Sequence, residues 1–288
     1  MKILHLSDIH FGVFKFKPGI LASKRVLGMI NYLLRRKKIY TYSCARELGA
    51  FIEKKHIEYI VVTGDFTTTS MEAEYKMAQE YLQGLSKYVK GIFVVPGNHD
   101  AYIPEAVKAG LFQKYFSKWT GEPMVKNQEW PYYRNLDQGI LILGINSALP
   151  MIFYSAQGFL HKEEIKQIDQ FLQKTPAKFK IVINHYPLRL PPDQPAGLAK
   201  NLINGDMLLQ VLKQNKVNLY LHGHMDRQWF VPQENNFPVL ANSGSLTHNG
   251  KESFVIYDIF SSKKICCEMY KYSAARGWYR SESVNFEF

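Results

Sequence analysis

Apolar residues in this chain gather in short runs that stop abruptly at polar ones. Lys2-Ile3-Leu4-His5-Leu6-Ser7 reads as a buried strand, as do the runs Tyr59 to Thr63, Ile92 to Val95, Lys180 to Asn184 and Val217 to Leu221. Runs of this length, bounded by turn residues, suit strands covered on both faces. Helical periods lie between them. Residues 19–34 place Val26, Leu27, Ile30, Leu33 and Leu34 on one stripe, and 41–56 turn Leu48, Phe51 and Ile52 inward. Further helices are expected over 71–86 (capped by Thr69 or Ser70), 104–118, 161–174 and 204–214. Residues 121–131, broken by Pro123 and Pro131, and the proline-rich 187–200 read as loops. Tyr132-Tyr133-Arg134 and Gly139 to Ile145 predict a hairpin around Asp137-Gln138-Gly139. The last quarter is strand-like at Gln228–Val231, Val239–Asn242, Phe254–Phe260 and Ile265–Tyr270. Alternation early and strands late predict mixed sheets with helices outside, not a purely parallel doubly wound sheet. With no internal repeat and no linker-like stretch, residues 1–288 read as one domain.

Composition narrows the class without choosing a function. A chain of 288 residues, 46% hydrophobic and 21% charged, has enough apolar material for a sizeable core. No apolar run approaches a membrane span, and the chain starts directly on its first strand, so a cytoplasmic protein is expected. Cys44, Cys266 and Cys267 are too few and too oddly placed for a disulfide framework. The net charge of +11 favours anionic partners. Lys15, Lys17, Lys24, Arg25, Arg35, Arg36, Lys37 and Lys38 surround the apolar stripe of an insertion at about 14–40. Such a segment suits peripheral contact with an anionic membrane, attraction of substrate to a site, or an ordinary solvated face. Lys271, Tyr272, Arg276, Trp278, Tyr279 and Arg280 form a basic-aromatic tail, read as base-stacking or simple packing.

The candidate chemistry sits where the strand runs end. The first run leads into Asp8 and His10, and the second into Gly64 and Asp65. The third leads into Asn98, His99 and Asp100, the fourth into His185, and the fifth into His222 and His224. Sites in open α/β sheets form beyond the carboxyl ends of strands, and oxygen and nitrogen donors of this kind bind divalent metals. Asp8 and His10 are two apart, which in extended chain points both to one side. His222 and His224 share that spacing, with Gly223 expected to permit a tight turn, and glycines before Asp65 and Asn98 fit sharp turns. His5 reads as a packed core histidine, Asp226 as a solvated loop acid or a support to the metal ligands, and His248 as part of a loop over 243–250 that lies on the surface or approaches substrate. Thr67, Thr68 and Thr69 suit helix entry or contact with phosphate.

Taken in order, Asp8-Ile9-His10, Gly64-Asp65, Gly97-Asn98-His99-Asp100, His185 and Gly223-His224 with His222 resemble the motif series of the calcineurin-like metallophosphoesterases, over roughly residues 1–245. The resemblance implies an α/β fold in which two packed mixed β-sheets, a β-sandwich, are flanked by α-helices. It implies two divalent metal ions, Mn first, with Fe, Zn or Co as alternatives. One would take Asp8, His10, Asp65 and His224; the other would take Asp65, Asn98, His185 and His222. Asp65 would bridge them alongside a water or hydroxide that attacks phosphorus. His99 would face the phosphate and leaving group, and Asp100 would either orient the His99 imidazole or serve as a capping carboxylate. The implied activity is phosphodiester hydrolysis of an anionic phosphoester. A pyrophosphatase of a nucleotide-linked lipid at the inner membrane face is the alternative, although that branch resembles a version with Arg where His99 stands. A nuclease lacks any recognition motif here, and a non-catalytic scaffold would be expected to have lost ligands, whereas none is missing.

Overall fold

The computed structural model describes residues 1–13, 39–150, 156–191, 201–232 and 238–288. The helix expected at 19–34, the basic side chains from Lys15 to Lys38 and most of the proline-rich loop fall outside the described residues.

Two mixed sheets form. The first has the order β15-β14-β13-β1-β2-β3, where β1 is Lys2–Leu6, β2 Tyr59–Val62, β3 Gly91–Val94, β13 Ser253–Ser261, β14 Lys264–Ser273 and β15 Gly277–Glu287. The second has the order β11-β12-β10-β8-β6-β5-β4. Its strands are β4 Glu122–Pro123, β5 Tyr132–Leu136, β6 Ile140–Gly144, β8 Phe179–Ile183, β10 Leu219–His222, β11 Gln228–Val231 and β12 Val239–Ser243. A further parallel pair joins β7 Gly158–Phe159 to β9 Leu202–Ile203. Strands β1, β2 and β3 run parallel, as do β6, β8, β10 and β12, while β13, β14 and β15 in the first sheet and β11, β5 and β4 in the second join by antiparallel pairs.

Period-two burial explains the layers. Ile3, Val61, Phe93, Val255 and Tyr257 of the first sheet pack against Ile142, Ile181, Leu219, Leu221 and Ala241 of the second. Their neighbours Leu4, Leu6, Ile60 and Val62 face outward onto helices α1 (Ser43–Lys55) and α2 (Glu72–Leu85). Leu141, Leu143, Val182 and Tyr220 likewise meet α5 (Lys162–Lys174) and α6 (Gly205–Gln214). The result is the expected sandwich of two sheets between helices. No described helix is long and apolar enough to cross a membrane.

Two local expectations need correction. The helix expected over 104–118 is interrupted: α3 (Pro104–Lys108) and α4 (Leu111–Phe116) meet at Gly110, whose φ of 58° breaks the helical path. Helix α2 is capped neither by Thr69 nor by Ser70. Met71 is the cap residue, and Glu74 reaches back to the backbone N–H of Thr69 at 2.9 Å and of Met71 at 3.0 Å. Of the two readings of the basic-aromatic stretch, packing holds: Lys271 and Tyr272 lie on β14, and Trp278, Tyr279 and Arg280 lie on the edge strand β15 paired along it.

Candidate metal centre

The parallel strands of both sheets end at one edge of the sandwich, and there their following loops meet. The backbone after β1 does not stay extended. Asp8 and His10 have φ values of 52° and 51°, and Asp65, His224 and Asp226 are also left-handed at 55°, 76° and 49°. Asp and His tolerate this region better than most residues, and such strain collects at functional sites. Backbone hydrogen bonds hold the first turn against the second: Asp8 N to Gly64 O at 3.0 Å, His10 N to Asp65 O at 2.9 Å and Phe11 N to Phe66 O at 2.8 Å. The loop after β12 buttresses the same turn, with Ser245 Oγ donating to Asp8 O and Thr247 Oγ1 to Ile9 O, both at 2.7 Å. Asp8 and His10 therefore converge through a left-handed turn rather than through extended alternation.

Two of the glycines serve closeness, not turning. Gly64 has a φ of 93°, whereas Gly97 and Gly223 are not left-handed. A Cβ on Gly97 would lie 2.2 Å from Asp65 Oδ1, and one on Gly223 would lie 1.8 Å from Ser7 Oγ and 2.5 Å from Asp8 Oδ2.

The donor atoms then crowd together. Asp65 Oδ2 lies 3.4 Å from His185 Nε2 and 3.8 Å from His10 Nε2. On one side, His10 Nε2 is 3.7 Å from Asp8 Oδ1 and 3.9 Å from Asp226 Oδ1. On the other, His185 Nε2 is 3.1 Å from both Asn98 Oδ1 and His224 Nδ1. Asp8, His10 and Asp226 form one cluster that could hold a metal, Asp65, His185 and His224 form another, and His10, Asp65 and His99 form a third that overlaps both. Donors around a small divalent ion stand about 3 Å apart, so these spacings fit an ion in each of the first two clusters. Asp226 Oδ1 supports the fit: it is enclosed and has no hydrogen-bond partner.

All the expected ligands except His222 meet here. His222 joins none of the clusters among the described residues. It packs on Trp229 with ring centroids 4.8 Å apart, and its Nδ1 lies 3.2 Å from Asn242 Nδ2. Burial lowers its pKa to about 3, which keeps it neutral. The strand still runs inward at His222, and only beyond Gly223 do side chains reach the site. His224 accordingly stands beside His185, not with Asp8 and His10 as the expected division had it. Asp226, read from sequence as a solvated acid, takes that place. His248 is not a free surface residue either; its Nδ1 faces Asp226 Oδ2 at 3.7 Å. A sequence signal for Asp226 existed, since it follows His224 at the spacing that separates Asp8 from His10.

Neighbouring backbone fixes the imidazoles. His185 Nδ1 donates to Thr63 O and His99 Nδ1 to Thr68 O, both at 2.7 Å, which commits each Nδ1 proton to the backbone and sets the ring orientation. Asp100 does not orient the His99 ring. Its carboxylate accepts from the N–H of Gly97, Phe66 and Thr67 and from Thr67 Oγ1, at 2.9 to 3.3 Å. It is a clamp that locks the loop after β3 to the loop after β2. Thr68 Oγ1 donates to His10 O and Thr69 Oγ1 to Glu74, so the three threonines hold loops together. His5 is a core residue, bonded to Tyr257 and Thr63.

Charge follows the same map. Burial raises Asp8 above the ordinary carboxylate range. Burial would also raise Asp65, but the His185 and His99 imidazoles hold it well below. Burial would lower His185, yet the Asp65 carboxylate reverses the direction and lifts it to about 9. A buried pit whose acids and imidazoles lean on one another in this way suits divalent cations.

Comparisons agree with this geometry. A family profile described as calcineurin-like phosphoesterase matches residues 1–227. The chain is 24% identical over 223 residues to a probable cyclic nucleotide phosphodiesterase of Vesicomyosocius okutanii subsp. Calyptogena okutanii (strain HA), covering 77% of each. A dimetal phosphatase from Danio rerio superposes with a TM-score of 0.67 at 10% identity, covering all of this chain and 98% of that one. A purple acid phosphatase from yellow lupin (Lupinus luteus) seeds does so with a TM-score of 0.64 at 10% identity, over 99% of this chain and 53% of that one. The two structures share the fold, and the profile match extends through both donor clusters to the residue after Asp226: this chain belongs to the calcineurin-like phosphoesterase family.

Proposed function

We propose that the chain hydrolyses phosphodiesters of small nucleotides with the help of two divalent ions. One ion would be held by Asp8, His10, Asp65 and Asp226, the other by Asp65, Asn98, His185 and His224. The observation that carries this reading is the Asp65 carboxylate, which lies between the two donor clusters with His10 on one side and His185 on the other. When bound, two such ions lower the pKa of a shared water and neutralise phosphoryl oxygens.

The remaining work falls to the chain. The N–H of His99 donates to Asp65 Oδ1 at 2.8 Å, so the Asp65 carboxylate and the His99 loop keep a fixed relation. The His99 ring stands over His10 with centroids 5.0 Å apart, and its Nδ1–H is committed to Thr68 O. Its Nε2 is the atom able to give a proton to a departing alkoxide. Stacking on Tyr102, at 5.6 Å between centroids, holds the ring plane. The cyclic nucleotide relative supports the choice of a diester.

A panel run with Mn²⁺ tests it. Bis(p-nitrophenyl) phosphate and 3′,5′-cyclic nucleotides are expected to exceed p-nitrophenyl phosphate in kcat/KM by more than about tenfold. A preference for the monoester would overturn the diester assignment. His99→Ala is expected to retain both ions by elemental analysis while kcat falls by about 10²–10⁴. Loss of an ion in that variant would move His99 from proton donor to ligand.

A further inference from the structure

The two donor clusters are not chemically alike. Setting the shared Asp65 aside, one offers the carboxylates of Asp8 and Asp226 with the His10 imidazole. The other offers two imidazoles, His185 and His224, and the neutral amide of Asn98. The first thus carries two formal negative charges and the second none. Carboxylate donors suit Mg²⁺ and Mn²⁺, whereas imidazoles suit Zn²⁺ and later transition metals.

We infer that the two metal positions differ in kind, and that Asp226 sets the difference. The position at Asp8, His10 and Asp226 favours a hard ion such as Mn²⁺, and the position at Asn98, His185 and His224 favours Zn²⁺. This rests on the two-ion reading given under Proposed function and goes beyond it. Two observations place Asp226 in the role. Its Oδ1 is enclosed beside His10 with no hydrogen-bond partner. Its Oδ2 faces His248 instead, so the two oxygens are divided between the site and the supporting loop. That support is well fixed: Tyr40 bridges to His248 and lays its ring against His10, at 4.7 Å between centroids.

Zn²⁺ binds most sites more tightly than Mn²⁺, so the expected result is an unequal displacement rather than exclusive occupancy. The full chain is loaded with Mn²⁺, titrated with Zn²⁺, and followed by electron paramagnetic resonance and by elemental analysis of the desalted protein. The first equivalent of Zn²⁺ should remove one Mn²⁺ and convert a coupled-pair spectrum to that of an isolated ion. The second Mn²⁺ should leave only at about tenfold or higher Zn²⁺. In Asp226→His, both should leave over one range. Asp226→Asn accepts the local φ of 49° readily and should release the second Mn²⁺ at about tenfold lower Zn²⁺ than the unaltered chain. Release of both ions together from the unaltered chain, or a step that survives in both variants, overturns the inference alone. Failure to take up two Mn²⁺ at all would instead overturn the two-ion reading on which it stands.

Discussion

Asp65→Asn is expected to empty both metal positions and to lower kcat/KM by roughly four orders of magnitude, the scale of losing several kcal/mol of charge stabilisation. The reason is position. Asp65 Oδ2 is 3.4 Å from His185 Nε2 and 3.8 Å from His10 Nε2, so one carboxylate serves both clusters. Asparagine has nearly the same shape and keeps an oxygen, but it removes the charge that holds His185 well above its ordinary range. The backbone should survive, because the main-chain bonds that fix the turn are untouched. Elemental analysis and diesterase assay of the same sample check the result. A variant that kept both ions and lost only rate would mean that Asp65 orients rather than binds.

Gly97→Ala should damage the site less severely, yet without removing any donor. The added Cβ would stand 2.2 Å from Asp65 Oδ1 and 2.6 Å from Asp65 N. The second of these is backbone, which no side-chain rotation can relieve. Overpacking of this kind costs about 1–3 kcal/mol of stability. The larger consequence is that the loop after β3 must retreat from the loop after β2, which spreads Asn98 and His99 away from Asp65. Metal affinity should fall by about 10- to 100-fold, as when a supporting contact of a ligand is lost. Denaturant unfolding and Mn²⁺ binding measure the two effects separately. Unchanged Mn²⁺ affinity would show that the loops tolerate separation.

These two sites also mark what the chain discloses before folding. The layers were legible because β1 is a short apolar run buried on both faces: Ile3 packs between the sheets and Leu4 and Leu6 pack under helices. Most of the donors were legible because parallel strands deliver their last residues to one edge. What stayed hidden is spatial. Asp226 lies 3.9 Å from His10 although 216 residues separate them, and its two-residue spacing from His224 is the one local sign that sets it apart from a solvated turn acid. His222 misled because its spacing to His224 matches that of Asp8 to His10, yet its side chain is still in the buried layer. The need for Gly97 and Gly223 came from atoms of distant segments, Asp65 and Ser7, not from their own dihedrals. Strand β15 was hidden by exposure: Arg280, Ser281, Glu282 and Ser283 are all exposed, so its edge position erased the period-two signal.

The central claim is that one carboxylate joins two unlike donor clusters. Anomalous diffraction from crystals soaked in Mn²⁺ tests it most directly. Two peaks are predicted with Asp65 between them, one among Asp8, His10 and Asp226 and the other among Asn98, His185 and His224. A single peak, or a peak bound by His222 with Asp226 turned away, would contradict it.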